Sequence, residues 1–329
     1  RARYPGACAA RERASACTTH PLCVCVRIRV SASLTHRQSS SSPHTAVLFS
    51  GGLDCTVLAA LAAAYAPAEQ PIDLINVAFE NPRAIAAARA QGPSLQGEFP
   101  DDPYAVPDRV TARASAAELA ALWPARTWHL VEVNVPYSEY VAHLEVVRTL
   151  LYPSDSVMDL SIAAALYFAA RAQGQVGGAP YVSPARVLLS GLGADELLGG
   201  YARHRQAWRR GGADALTAEL QLDLDRLPTR NLGRDDRVIS AHARETRYPY
   251  LARDVVQVLA GMPVHAKADL SQPEGAGDKL LLRRFAHRLG VSHAARLPKR
   301  AIQFGARSAK MDPEAARVKG DARLSPQRR

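Results

Sequence analysis

Two short stretches of this chain combine serine, glycine and aspartate in the way a polyanion site does. The first is Ser50-Gly-Gly-Leu-Asp54, set between a short apolar run and an alanine-rich segment. Gly51 and Gly52 lack a Cβ, so the chain can turn sharply there and bring a row of backbone N–H groups close to an anion. Ser50 adds a hydroxyl, and a helix that begins at such a turn favours negative charge at its N-terminus. Asp54 conflicts with that reading when taken alone, because a bare carboxylate repels a phosphate. A bridging Mg²⁺ removes the conflict, since it takes oxygen ligands from one or two carboxylates and from substrate phosphates together. The second stretch, Ser190-Gly-Leu-Gly-Ala-Asp-Glu196, repeats the pattern. Asp54 and Asp195 are therefore candidate ligands of one Mg²⁺ bound to a polyphosphate. The plainer alternative, acids in the first turn of a helix complementing its dipole, has to treat the recurrence as coincidence.

Both turns need strands behind them. Ala46–Phe49 has the length and character of a buried parallel strand, and Thr56–Tyr65 reads as the crossover helix after it. Pro71–Phe79 is a second buried strand, Trp128–Val135 a third with alternating character, and Ala185–Leu189 a fourth that runs into the second turn. The stretch from Glu80 to Arg109, with five prolines, reads as a long surface excursion with one turn of helix in the alanines after Arg83. Helices are expected over Ser115–Leu122, Tyr137–Leu151 and Ser156–Ala172. That succession predicts an α/β fold with a doubly wound parallel sheet, which binds ligands at the carboxyl ends of its strands. Beyond residue 200 no strand is evident. Helices near 213–226, 231–243, 252–260 and 278–289 make an all-helical C-terminal half, and the tail after Lys310 reads as loose.

With 329 residues and 47% hydrophobic content the chain can bury a substantial core. No apolar run approaches the ~20 residues that cross a bilayer. The net charge of +10 invites a nucleic-acid reading, but residues 1–45 hold seven arginines against one acid, which leaves only a mild excess for the rest. Without a basic run interleaved with aromatics, that excess suits an anionic small substrate, and neither nucleic acid nor membrane is expected as a partner. Four of the five cysteines lie before residue 26 and Cys55 stands alone after it, so disulfides are not expected and a reducing, cytoplasmic setting is. Residues 1–44, rich in Arg and Ser, read as a disordered or mis-predicted beginning, with an organellar transit segment as the alternative. The expected division is thus 1–44, a domain over 45–311, and a tail over 312–329.

The same residues carry a resemblance. Ser50-Gly-Gly-Leu-Asp54 resembles the SGGxDS pyrophosphate loop of the ATP-pyrophosphatase superfamily, and Ser190-Gly-Leu-Gly-Ala-Asp-Glu with Gly199-Gly-Tyr201 resembles the second loop of its asparagine synthetase branch. Glu245-Thr-Arg-Tyr-Pro-Tyr-Leu251 is similar to that branch's EARVPFL segment, and Asp278-Lys279 and Leu297–Gly305 match its lysine and its basic loop. Together with NLGRDDRVI (231–239) and IDLINVAF (72–79), these phrases resemble the asparagine synthetase domain-containing protein 1 family. The resemblance implies an adenine nucleotide alpha hydrolase-like fold and a reaction in which ATP attaches AMP to a carboxylate, expels pyrophosphate, and leaves an acyl-adenylate for an amine to displace. It implies that Ser50–Asp54 hold pyrophosphate, that Asp54 and Asp195 hold Mg²⁺, and that Phe49 and Val77 frame adenine with Ser190 and Gly191 beside the nucleotide. Lys279 would offset charge on the leaving oxygens, with Lys299 and Arg300 as further phosphate contacts; the alternative for Lys279 is a solvated helix-face lysine. Glu245 is a second candidate catalytic residue: with Arg247 it either orients the substrate or pairs to fix the turn before Pro249. His204 reads as a surface residue. The implied partners are aspartate or another carboxylate, ammonia or glutamine-derived nitrogen, and a glutaminase domain or subunit.

Three departures from the family pattern bear on activity. Leu192 stands where asparagine synthetases carry a glutamate linked to adenylate formation, and it can neither carry charge nor move a proton. Cys55 replaces the usual loop serine with a weaker hydrogen-bond partner. No glutaminase domain is expected ahead of residue 45. ATP binding tolerates these changes better than asparagine synthesis does, so a pseudo-enzyme that keeps the nucleotide fold as an interaction module is the alternative to an amide-forming ligase.

Overall fold

The computed structural model describes residues 45–90, 102–311 and 320–324. Seven strands form one sheet: β1 Thr45–Leu48, β2 Ile72–Phe79, β3 Trp128–Val135, β4 Gln173–Val176, β5 Ala179–Val182, β6 Val187–Leu189 and β7 Glu245–Arg247. Their order is β5-β4-β3-β2-β1-β6-β7. The five from β3 to β7 run parallel, while β4 and β5 close the β3 edge as an antiparallel hairpin. The chain leaves β1 toward β2 and β3 and then returns to the opposite side of β1 with β6. The β1/β6 junction is therefore the switch point, where loops diverge to opposite faces and leave a crevice at the carboxyl ends of the strands.

The sheet is buried on both faces because its residues alternate between two apolar clusters. Val47, Leu74 and Leu189 face α1 (Leu53–Tyr65), α3 (Pro107–Leu122), α9 (Arg253–Ala260) and α11 (Leu280–Leu289). Ala46, Ile75 and Leu188 face α4 (Tyr137–Leu151), α5 (Val157–Arg171) and α8 (Gly233–Ser240). All eight residues of β2 are buried, which accounts for its near-continuous apolar sequence. Its two polar residues are paired: Asp73 with His129 and Tyr181, Asn76 with Phe49 O. A smaller cluster joins Leu216 and Leu220 of α7 (Ala202–Leu227) to Val264, Ala268 and Leu270.

Several expectations are corrected. The all-helical second half contains β7, whose three residues pair in parallel with β6; so short a run carries no detectable period. The stretch before β6 forms the β4–β5 hairpin, turning at Gly177 and Gly178, both at positive φ. The supposed surface excursion holds α2 (Pro82–Ala90) and the first residues of α3, which begins at Pro107 where a missing N–H costs nothing. Residues 91–101 lie outside the described residues. Helix α7 starts at Ala202, kinked by Gly211 and Gly212, and continues through a π-turn at Pro228–Leu232 into α8. The tail does not end its contacts at Lys310: Met158 N and Val157 N donate to Gly320 O and Ala322 O. Residues 1–44 fall outside the described structure.

The sheet places the first turn through a close approach. Gly51 has φ of +78°, and a Cβ there would lie 2.5 Å from the backbone of Thr111 and Ala112. Ser115 Oγ donates to Gly51 O at 2.7 Å, so α3 is clamped directly onto the turn. Gly51→Ala combines a left-handed alanine with a backbone clash and is expected to cost roughly 3 kcal/mol, read by urea denaturation. A loss below about 1 kcal/mol would mean α3 gives way and the clamp is not rigid.

Candidate functional site

Leu53 starts α1 immediately after the first turn, with Gly52 as an N-cap that brings no side-chain acceptor. The first N–H groups of the helix are thus left facing the crevice. Asp54 is held there by its backbone, whose carbonyl accepts from the buried Tyr250 hydroxyl at 3.0 Å. The second turn approaches from β6. A Cβ on Gly191 would stand 3.0 Å from Asp54 Cβ, so glycine at 191 is what lets the two turns meet. α6 (Ala194–Leu198) then carries Asp195 inward.

Lys279 lies between the two aspartates. Its Nζ is 2.8 Å from Asp54 Oδ1 and 2.9 Å from Asp195 Oδ1, with 3% of the side chain exposed. The residue sits at φ +50° just before α11, with its N–H donating to Leu198 O. That conformation is costly outside glycine and is held by its surroundings. Lys299 Nζ pairs with the other oxygen of Asp195 and lies 5.6 Å from the centre of the Tyr201 ring. Four opposite charges therefore cancel in a buried space. Burial works against ionisation of Asp195, but the Lys279 and Lys299 ammoniums outweigh it and hold the carboxyl well below the usual range. For Asp54 burial prevails over Lys279, and Asp195 adds repulsion, so its pKa rises. Both ammoniums are desolvated, yet the aspartates raise their pKa values.

A cavity of about 410 Å³ opens beside this tetrad. Phe49, Ser50, Gly52, Asp54, Val77, Ser190, Gly191, Asp195, Lys279, Lys299 and Arg300 all line it, so most of the residues singled out by sequence converge on one space. Two do not. Gly51 is packed beneath the turn against α3. Glu245 begins β7 opposite Val187, away from the carboxyl ends of the strands, and its 2.5 Å ion pair with Arg247 is the pairing alternative. Glu245 is thus corrected to a strand-edge residue. His204 is also corrected: it is fully buried, with Nε2 2.8 Å from Asp223 Oδ2 and Nδ1 accepting from Tyr201 N. Cys55 is a free thiol tucked against Gly52 O and Ser50 Oγ, and burial raises its pKa.

Sequence reasoning missed the supports. Asn76 donates to Phe49 O and is itself held by Arg109 Nε at 2.7 Å, which fixes the strand end below the first turn. Glu196 accepts from Gly193 N and from the Tyr201 hydroxyl at 2.6 Å, which holds the second turn to the start of α7. A polar residue inside the apolar β2 run was the available signal for Asn76. The lining is mixed in character: Leu48, Ile75, Val77, Ile162, Leu166 and Ala169 belong to one apolar cluster, and other parts of it come from the charged tetrad and from the group of Asp159, Arg234 and Asp235.

Metal fit rests on the donor set. Asp54 and Asp195 supply hard oxygen ligands, and Asp195 Oδ1 is buried with no hydrogen bond, only the ion-pair contact to Lys279. Among the described residues no group of three or more His, Cys, Asp or Glu is placed to hold a metal. Two carboxylates suit Mg²⁺ that arrives with phosphates, and the ammoniums already there oppose a bare cation.

Fold and site together define an α/β protein with a cavity at the switch point of a mostly parallel sheet, where two Ser-Gly turns meet. Comparison of sequences narrows this further. The asparagine synthase family matches residues 26–214 and 209–327, and the chain belongs to that family. It is similar to asparagine synthetase domain-containing protein 1 of Gallus gallus, 44% identical over 83% of this chain and 47% of the relative. The Bos taurus protein of the same name is 43% identical over 84% of this chain and 47% of its own length. A putative asparagine synthetase [glutamine-hydrolyzing] 1 of Methanocaldococcus jannaschii is 44% identical over 25% of this chain. The chain spans about half the length of the domain-containing relatives it matches. Family membership supports a general ligase-type function that consumes ATP. No described helix is long and apolar enough to cross a membrane.

Burial lifts several carboxyls of the cavity lining, Asp235 to about 6 and Asp108 further. Asp108 is buried and its pKa is pushed up to about 7 by that burial, against a long 3.5 Å contact from Arg300. A folded-state pKa above the unfolded one means stability that is full below pH ~4 and is lost as pH rises through ~7. Asp108→Asn is expected to flatten that decline in a pH series of urea unfolding, with a gain at pH 8 of at most about 4 kcal/mol. An unchanged pH profile would show that Asp108 titrates normally.

Proposed function

We propose that this chain binds MgATP in the cavity and forms an amide by way of an acyl-adenylate, in the manner of asparagine synthetases. The observation that carries the reading is the meeting of both Ser-Gly turns around Asp54, Lys279 and Asp195 beside a cavity lined by both apolar and charged side chains. The base belongs among the apolar residues, beside Phe49 and Val77. The phosphates belong by the charged tetrad, against the N–H groups that open α1 and beside Ser50, Ser190 and Gly191.

A carboxylate is a poor electrophile, and attaching AMP to it turns its oxygen into a leaving group. Most of the work at the α-phosphate is positioning and charge stabilisation. Lys279 is placed to follow charge onto pyrophosphate as it departs, because its ammonium is buried and held by carboxylates on two elements. Lys299 and Arg300, at the cavity wall, add positive charge on the same side. Mg²⁺, held by Asp54 and Asp195, would supply Lewis-acid stabilisation of the phosphate oxygens. An ammonia nucleophile, free or derived from glutamine in a further domain or subunit, would then displace AMP from an aspartate-type acceptor in a cytoplasmic setting.

A second reading is favoured by Leu192. It lines the cavity between Gly191 and Gly193 at the position where a carboxylate is expected, and only its backbone N–H is engaged, donating to Ser190 Oγ. On that reading the nucleotide site survives in a pseudo-enzyme.

Two experiments test these proposals. Asp54→Asn should weaken ATP binding at least ~10-fold and remove its dependence on Mg²⁺, measured by calorimetry. Asp195→Asn should do the same and also lower stability by roughly 3 kcal/mol, since the buried Lys279 loses one of its two carboxylates and the partly exposed Lys299 loses its own. Affinity untouched in both variants would sink the shared-metal site. Exchange of labelled pyrophosphate into ATP with aspartate present separates enzyme from pseudo-enzyme. Leu192→Glu is expected to raise that exchange by something like 10²–10⁴-fold over the natural protein. Robust exchange in the natural protein would show that Leu192 is no obstacle.

A further inference from the structure

The short helix α12 (Ile302–Gly305) and the residue after it contribute Ile302, Gln303 and Ala306 to the lining of the cavity. Ile302 and Ala306 pack into the same cluster as Val77 and Leu166. The segment is fixed in place: Phe79 N donates to Ala306 O at 3.0 Å, Ser308 Oγ to Ser161 O at 2.8 Å, and Asn81 Nδ2 to Arg307 O at 2.9 Å. From this segment Gln303 lines the cavity, 6% exposed.

Its side-chain amide is unspent. Gln303 Oε1 is buried with no hydrogen-bond partner, and no bond from the amide nitrogen joins it to any described residue. Buried polar groups are almost always paired, so an orphan on a well-held element calls for a cause. Of the other amides in the lining, Asn76 is spent on Phe49 O, Asp108 O and Arg109, and Asn231 is only half-buried. Gln303 is therefore the buried amide of the lining that is left unpaired among the described residues. A side-chain amide presents an acceptor and a donor side by side, which matches a flat heterocycle carrying an exocyclic amino group next to a ring nitrogen.

We infer that Gln303 reads the edge of the adenine ring, its Oε1 accepting from the exocyclic amino group and its Nε2 donating to the adjacent ring nitrogen. The inference rests on the nucleotide reading above and adds a residue that selects the base. It also explains why the ligand-free protein tolerates an unmade hydrogen bond: the partner arrives with the ligand.

The test uses Gln303→Met, which keeps length and removes the polar atoms. Affinities are measured with Mg²⁺ for ATP and for purine riboside triphosphate, which lacks the amino group, alongside thermal unfolding of the ligand-free chain. The variant should be at least as stable as the natural protein, because an unpaired buried amide has gone. Its ATP affinity should fall ~10-fold, and the natural preference for ATP over the purine analogue should vanish. Gln303→Leu carries the same comparison if the methionine variant does not fold. Equal loss of both nucleotides with the preference intact would assign Gln303 to packing and overturn the inference. Undiminished ATP binding by the variant would overturn it while leaving the nucleotide reading standing, whereas no ATP binding by the natural protein would remove both.

Discussion

The structure turns on a buried ammonium between two carboxylates. Asp54 comes from the turn after β1, Asp195 from the turn after β6, and Lys279 from far along the chain at the start of α11. None of the three could be desolvated alone, because an uncompensated buried charge is far more costly than a paired one. Their mutual neutralisation therefore binds three separate elements to one point. The tight geometry around them follows: glycine at 191 to admit the second turn, Tyr250 on the backbone of Asp54, and a left-handed Lys279. With Lys299 added, the tetrad carries no net charge. Such a site gains little from an anion or a cation arriving alone, but a magnesium–polyphosphate brings both signs and can re-pair every member.

The apolar and charged parts of the lining are built by different means, and that difference sorts their roles. The apolar part is made by strand ends and by α5, α12 and their neighbours, with backbone hydrogen bonds setting its shape. The charged part is made by side chains that neutralise one another across separate elements. A nucleotide, as proposed above, has a base and phosphates that need those opposite environments.

The sheet and the two turns were legible because their signals are local. A buried parallel strand must be apolar throughout, and a glycine turn before a helix is spelled out within five residues, as at Phe49–Leu53. What escaped the sequence was short or long-range. β7 is three residues and carries no detectable period, so nothing local marks Glu245 as the first residue of an edge strand. His204 looked like a surface histidine because its partner Asp223 lies a kinked helix away. Lys279 was recognised by its place in a motif, but nothing local says that its ammonium would occupy the position between the aspartates. Asn76 and Gln303 were passed over for a related reason: the meaning of a polar residue in an apolar run depends on what it faces.

Whether the site does chemistry depends on which carboxyls are free to take part. Asp54 and Asp195 are committed to lysines, and Glu196 spends both oxygens on Gly193 N and the Tyr201 hydroxyl. Asp159, Asp223 and Asp235 are each tied to an arginine. Asp108 differs, with a carboxyl reached only by a 3.5 Å contact from Arg300 and a pKa lifted to about 7. Replacing a loop glutamate by Leu192 therefore does not strip the cavity of acid–base capacity. Asp108, on the first turn of α3, lines the same cavity as Leu192. The substitution thus bears on chemistry by the usual group and leaves untouched the convergence of the two turns on Lys279, which depends on Gly191 and on Asp54 and Asp195.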